Sequence, residues 1–369
     1  DAGWRAGSKV HPYHQFDFWA PIGVVGSGSP VGSGFGTGTK FPARYQDAFY
    51  IADWSFGNLW ATFLTPQGSS YKATAMPFVS GKPFAVSGII SNPEDGSLLV
   101  MTTGTQLYRV TYVGNEVTTP TTPDTRYAAL RDQRHKLEAF HGKKENAAVN
   151  AAWPFLGDED RAIRYSARTA LEWQDVGQWR ERALAETDPR KAIAALASLA
   201  RVSGRDEYHT QPGTQPNRDK ALQNRMFATL DRIDWNQLTY QDKLDLTRAY
   251  QLVMIRLGKP DAAATARLIA LFDPKFPSNQ QELTRELGEL LDADVIVQPE
   301  DLAFDAASEA AIAQDKAIAR NVEVVTQWST RTPAGGRMAH ATLCSRSAWF
   351  TYEPSRSAKA ARSPAIIGG

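Results

Sequence analysis

Cysteine is nearly absent, with Cys344 the single one in 369 residues. One thiol excludes an internal disulfide, a cysteine-rich zinc site and the C-x-x-C-H attachment of covalent haem within this chain. An excess of one charge is also lacking. Lys plus Arg number 41 and Asp plus Glu 40, so no global field draws the chain to nucleic acid or to an anionic membrane surface. The arginines of the later half are interleaved with acids rather than clustered, which also argues against nucleic-acid binding. No apolar run approaches the roughly 18 residues that span a bilayer, so no membrane span is expected. The first residues show no basic segment followed by an apolar stretch, as a signal peptide would. The sequence opens at Asp1, and a piece excised from a longer protein is the expectation.

What is present divides sharply. Of 27 glycines, 16 lie in residues 1–119, whereas Ala, Leu, Glu and Arg gather after them. The first region alternates short apolar runs with turn residues: Ala48 to Ala52, Leu59 to Leu64, Thr74 to Val79, Ile89–Ile90, Leu98 to Thr102 and Leu107 to Val113. Such runs predict a meander of antiparallel strands over residues 1–115, in a propeller or a sandwich. Thr65-Pro66-Gln67-Gly68 and Asn92-Pro93-Glu94-Asp95-Gly96 supply the turn chemistry. Residues 116–126 are rich in Thr and Pro and predict a linker. From 127 to 291, apolar residues recur at three- and four-residue spacing, through Ala183 to Val202, Leu222 to Ile233, Leu244 to Leu257 and Ala262 to Phe272. A weak repeat of 30 residues sets Asp158, Ile163, Ala167 and Ala170 against Asp188, Ile193, Ala197 and Ala200. Small residues at these offsets suit either a stacked α-solenoid or an irregular bundle. Residues 292–369 lose periodicity and predict an irregular or disordered tail.

The motifs that could carry chemistry are sparse. The glycine-rich stretch from Gly23 to Gly38 contains Pro30 and runs into Phe41-Pro42, which excludes the strand-loop-helix context of a dinucleotide site. Its glycines serve either turns and bulges between strands or a close-approach loop at a propeller mouth. His11 and His14 stand three apart beside Asp17, but Pro12 lies between them. An extended segment would diverge the imidazoles, so His14 is a candidate for lining a pocket rather than a metal ligand. No nucleophile elbow is present, and Cys344 has nothing nearby to activate it. Glu282 and Glu286 around Arg285 read as solvent-facing ion pairs. Trp153, Phe155, Trp173 and Trp179 read as core.

The stretch Phe41-Pro42-Ala43-Arg44-Tyr45-Gln46-Asp47-Ala48-Phe49-Tyr50-Ile51-Ala52-Asp53-Trp54-Ser55-Phe56-Gly57-Asn58-Leu59-Trp60-Ala61 resembles a late blade of the glucose/sorbosone dehydrogenase type of β-propeller. The version in question is that of large putative membrane-bound dehydrogenase-like proteins of planctomycete-type bacteria. Leu64 to Gly68, Ser70 to Ala73, Phe78 to Gly81 and Gly104 to Gly114 continue the resemblance. Leu137 to Gly142, Ala152 to Gly157, Ile163 to Arg168, Gln178 to Leu184 and Glu282 to Leu287 are similar to the HEAT-like helical region that follows such propellers. The resemblance implies α+β architecture in separate domains, a partial antiparallel β-propeller followed by an α-helical HEAT-like solenoid. It also implies pyrroloquinoline quinone (PQQ) in the complete protein, a small sugar substrate, a c-type cytochrome domain or protein partner, and a periplasmic or secreted location. The base in that chemistry is a histidine from an earlier blade, and no residue here takes that role. Asp53 and Trp54, at the end of a strand in the best-matching motif, are the cofactor-pocket candidates with His14; the alternative is Asp53 as a turn cap and Trp54 as core. The chain is expected to contribute propeller closure and a helical interaction scaffold, or to be a non-enzymatic module that binds a protein or polysaccharide.

Overall fold

The structure is a computed structural model that describes residues 13–25, 28–103, 106–120, 122–206 and 216–291. His11, His209, His340, Cys344 and the tail expected over 292–369 lie outside the described residues. The chain divides into two compact units. Of the described residues, one unit comprises Trp19–Lys143 with Asp158–Ala170; the other takes in residues 13–18, Lys144–Gly157 and those from Leu171 to Leu291. Residues 116–126 lie within the first of these units. Residues 13–18 belong with the helices, and the first helix after the linker belongs with the strands.

The β unit is built from seven strands: β1 (Pro30–Phe35), β2 (Phe49–Asp53), β3 (Asn58–Gln67), β4 (Ser70–Ser80), β5 (Val86–Ser91), β6 (Leu98–Thr102) and β7 (Leu107–Val110). They form two open antiparallel sheets, ordered β1-β2-β3-β4 and β5-β6-β7. Pairing sets side chains of opposed residues on one face. Gly34, Tyr50 and Ala61 are aligned across the first sheet, as are Ala52 and Leu59. In the second, Val100 opposes Ile89 and Tyr108, and Leu98 opposes Val110. These rows meet in one core with Phe41, Phe84 and Val86, completed by Phe63 and Phe78.

Strand β1 was not expected among the glycines, and its reason is close approach. A Cβ on Gly32 would sit 2.6 Å from the Ser87 carbonyl oxygen, so glycine lets β1 lie directly against β5. The sharp turn after Thr65-Pro66 also falls later than expected. Pro66 stays in the ladder opposite Tyr71, and Gly68, at φ 56°, makes the turn. Asp160 grips that hairpin tip: its carboxylate accepts from the Ser69 amide (2.5 Å) and hydroxyl (2.7 Å) and from the Ala162 and Ile163 amides. Those last two bonds start helix α4 (Arg161–Glu172), whose Ile163, Ala167 and Ala170 are buried. Two further helices in this unit are α1 (Ala43–Gln46) and α2 (Ala128–Glu138).

The helical unit contains α3 (Ala147–Ala152), α5 (Arg180–Ala185), α6 (Pro189–Ser203), α7 (Lys220–Leu230), α8 (Tyr240–Leu257), α9 (Ala262–Phe272) and α10 (Gln281–Leu291). Capping explains their starts. Asp188, Asp219, Thr239 and Asp261 each accept a backbone N–H from the first turn of the helix they precede. The single helical pattern from Ala183 to Val202 is split into α5 and α6 because Asp188 caps and Pro189 fits only a first turn. Helix α6 is buried from Ala192 to Ala200, five of those nine residues being alanine, and these small side chains let α8 pack close. In the expected repeat, the second copy holds with Asp188 as cap, whereas in the first Asp160 rather than Asp158 caps the helix.

Candidate functional site

Strand β2 ends at Asp53, which folds back over the turn that follows it. Its Oδ1 accepts from the Ser29 amide (2.9 Å) and the Ser55 amide (3.1 Å), and the Trp54 amide donates to the Ser29 carbonyl (3.0 Å). Gly57, at φ 65°, turns the chain into β3. Asp53 is therefore a buried turn cap, while Oδ2 of the same carboxylate is buried without a hydrogen bond. Trp54 is not core: it is 48% exposed, with its indole N–H donating to the Thr103 hydroxyl (3.2 Å).

Quinone carboxylates would need cations at this loop. Arg44 donates to the Tyr45 hydroxyl (2.7 Å) and lies over Phe63, and Arg109 pairs with Asp95 (3.3 Å). Arg44 lies on α1 (Ala43–Gln46) and Arg109 on β7, and neither reaches the loop in these contacts.

His14 belongs to the other unit, where a short N-terminal segment is clasped by helices. Its Nε2 lies 2.7 Å from Glu286 Oε1. Glu286, fully buried on α10, also accepts from the Gln15 amide (3.1 and 3.3 Å) and from the Gln251 amide (3.0 Å). Burial alone would raise the Glu286 pKa, but hydrogen bonds from His14, Gln15 and Gln251, with the nearby Arg248 charge, hold it below the ordinary glutamate value. Beside it, Arg248 of α8 makes a bidentate pair with Asp17 (2.9 and 3.0 Å), and its other arm donates to Gln251 Oε1 (3.1 Å). Arg201 of α6 reaches Asp17 at 4.0 Å and Glu172 at 3.1 Å. Every charge in this cluster has a counter-charge or an amide. Such an arrangement fastens the segment to three helices, and a buried network of paired charges of this kind is structural.

The cluster overturns one expectation and extends another. Glu286 does not face solvent with Arg285; Arg285 pairs with Glu289 (3.3 Å), and Glu282 accepts from the Tyr240 hydroxyl (2.9 Å). The position of Glu286 was readable from α10 itself, since it sits on the stripe with Leu283, Leu287 and Leu290. Arg248 and Gln251 carry no comparable local signal, because their partners lie at the far end of the sequence. Among the aromatic residues, Trp153 and Trp179 are buried but Trp173 is 49% exposed. Among the described residues no group of three or more His, Cys, Asp or Glu could hold a metal ion, and no helix is long and apolar enough to cross a membrane.

The two units define a mixed α+β protein with two small antiparallel sheets and a separate body of helices. No family model matches the chain, and no curated protein or solved structure matches it.

Proposed function

We propose that the chain acts by binding: its β unit is part of a larger stack of antiparallel sheets of the propeller kind, and its helical unit is an interaction scaffold. One observation carries this reading. Each sheet carries large apolar side chains on both faces, interrupted on the outer ones by Ser33, Thr62 and Arg109, although only one face of each is spent on the shared core. The outer face of the first sheet carries Phe35, Phe49, Ile51 and Trp60, aligned by the β1-β2-β3 register. The outer face of the second carries Ile90 (65% exposed), Leu99, Met101 (53% exposed) and Leu107. An antiparallel sheet with one wet face alternates apolar and polar residues. A sheet with two apolar faces is made to be packed on both sides, as a propeller blade is.

The approach of β1 to β5 supports the same arrangement, since both are the first strands of their sheets and successive blades meet at such strands. The two-faced sheets support the propeller arrangement independently of the sequence resemblance. Sedimentation velocity on the chain tests it. Self-association through the outer faces is expected, and Ile90→Lys with Met101→Lys should suppress it while far-ultraviolet circular dichroism stays unchanged. A chain that stays monomeric at all concentrations, with or without the lysines, would contradict the stacking of further sheets.

A further inference from the structure

The helical unit holds a cleft of about 510 Å³ between the turn before α8 and the segment joining α9 to α10. Lys243 and Lys275 both line it. Lys243 Nζ and Lys275 Nζ each lie 5.6 Å from the centre of the Trp235 ring, so they are no more than about twice that distance apart. Among the described residues neither has a carboxylate partner; Lys275 donates to the Leu271 carbonyl, which leaves further ammonium protons available. None of the cleft's lining residues is acidic. Burial holds the Lys275 pKa below the ordinary lysine value, in keeping with an ammonium that lies against the Leu271 carbonyl and the Phe272 ring (5.7 Å).

The rest of the lining is of a different kind. Asn236, Asn279 and Gln280 place exposed side-chain amides on the cleft, and Ser278 contributes a hydroxyl that accepts from the Gln280 backbone amide (3.1 Å). Tyr240 stands at the same wall, its hydroxyl fixed by Glu282 (2.9 Å). Trp235 is itself edge-on to buried Phe272 (ring centres 5.9 Å apart), and the two ammoniums lie over its ring. Amides and hydroxyls match the paired donors and acceptors of sugar hydroxyls, an indole offers a surface to pyranose C–H groups, and two ammoniums select a negative charge.

We propose that this cleft binds an acidic saccharide, a chain of uronic acid units whose carboxylate lies between Lys243 and Lys275 and whose ring packs at Trp235. An acidic peptide would use the lysines but leave the three amides and the indole without their complement, and so is the less favoured occupant. The assignment rests on the reading of the helical unit as a binding scaffold, and names its ligand class; it does not depend on the sheets.

Isothermal titration calorimetry of the chain with trigalacturonate is the test, with maltotriose and triglutamate as comparison ligands. Saturable binding of trigalacturonate is expected, stronger than that of either comparison, and weakening as salt is raised. Lys243→Gln and Lys275→Gln should each weaken it about tenfold or more, with an unchanged melting temperature. The salt dependence of the unaltered chain provides the same check without any substitution. Absence of saturable binding, salt-independent binding, or equal binding of maltotriose would overturn the assignment, and stronger binding of triglutamate would replace the saccharide by an acidic peptide. The sedimentation experiment on the sheets reads a different surface, so either result can fail alone.

Discussion

Replacing Asp17 by alanine should unfasten the N-terminal segment from the helical unit. The Asp17 side chain is fully buried and that of Arg248 is 11% exposed, and the two share bonds of 2.9 and 3.0 Å. Without the carboxylate, Arg248 keeps the Gln251 oxygen and the Phe18 ring, at 5.7 Å, but has lost its bidentate counter-ion. Removing one partner of a buried pair destabilises by roughly 3–5 kcal/mol, because the remaining charge stays desolvated. The residual exposure of Arg248 and its retained amide contact place the effect at the lower end, about 3 kcal/mol. Asp17→Asn, which keeps an acceptor but not the charge, should lose about half as much. Urea unfolding followed by circular dichroism reads the global change, and amide hydrogen exchange at residues 13–18 reads undocking of the segment alone. A loss below about 0.5 kcal/mol with unchanged exchange at 13–18 would refute the claim that this pair fastens the segment.

Three other outcomes follow from the same contacts. Glu286 is held below the ordinary glutamate value, so its contribution is present above the unfolded-state pKa of about 4.3 and is lost as pH falls through the lower folded-state pKa. Urea midpoints measured between about pH 5 and pH 3 should therefore drop in the unaltered chain and drop less in Glu286→Gln. Gly68→Ala should lower the melting temperature of the β unit, since alanine at φ 56° adds about 1–2 kcal/mol of strain and its Cβ would meet the Asp160 carboxylate. Gly32→Ala should destabilise the same unit by about 1–3 kcal/mol by driving β1 away from Ser87 on β5, whereas Gly38→Ala, where a Cβ meets nothing, should show only the backbone strain of its φ of 87°. Thermal unfolding followed in the near ultraviolet measures both.

Strand Leu98–Thr102 and the pattern through Ala262 to Phe272 were legible because alternation and helical spacing are local properties. The turn at Asn92 to Gly96 was legible for the same reason: Gly96 adopts φ 74°, and its amide donates to the Asn92 carbonyl (2.9 Å). Strand β1 was not, because the glycines that weaken its strand signal are there to admit another sheet, a fact that belongs to β5. Asp53 followed the turn-cap alternative, whereas Trp54 left the core. His14 was singled out by its neighbours His11 and Asp17, but its partner Glu286 is 272 residues away. Periodicity on α10 put Glu286 on the apolar stripe, and only the fold supplies the His14, Gln15 and Gln251 groups that make its burial tolerable. The Trp235 cleft was invisible for a similar reason: Lys243 lies on α8 and Lys275 just beyond α9, and neither forms a motif with Trp235.

On the proposed reading, the outer faces of both sheets are surfaces to be covered. Fluorescence of an apolar-surface dye such as anilinonaphthalene sulfonate with the folded chain measures this most directly. Strong dye binding is predicted, reduced in steps by Phe35→Ser on the first sheet and by Ile90→Lys with Met101→Lys on the second, with secondary structure retained. A folded chain that does not brighten the dye, or whose signal ignores these substitutions, would contradict the claim.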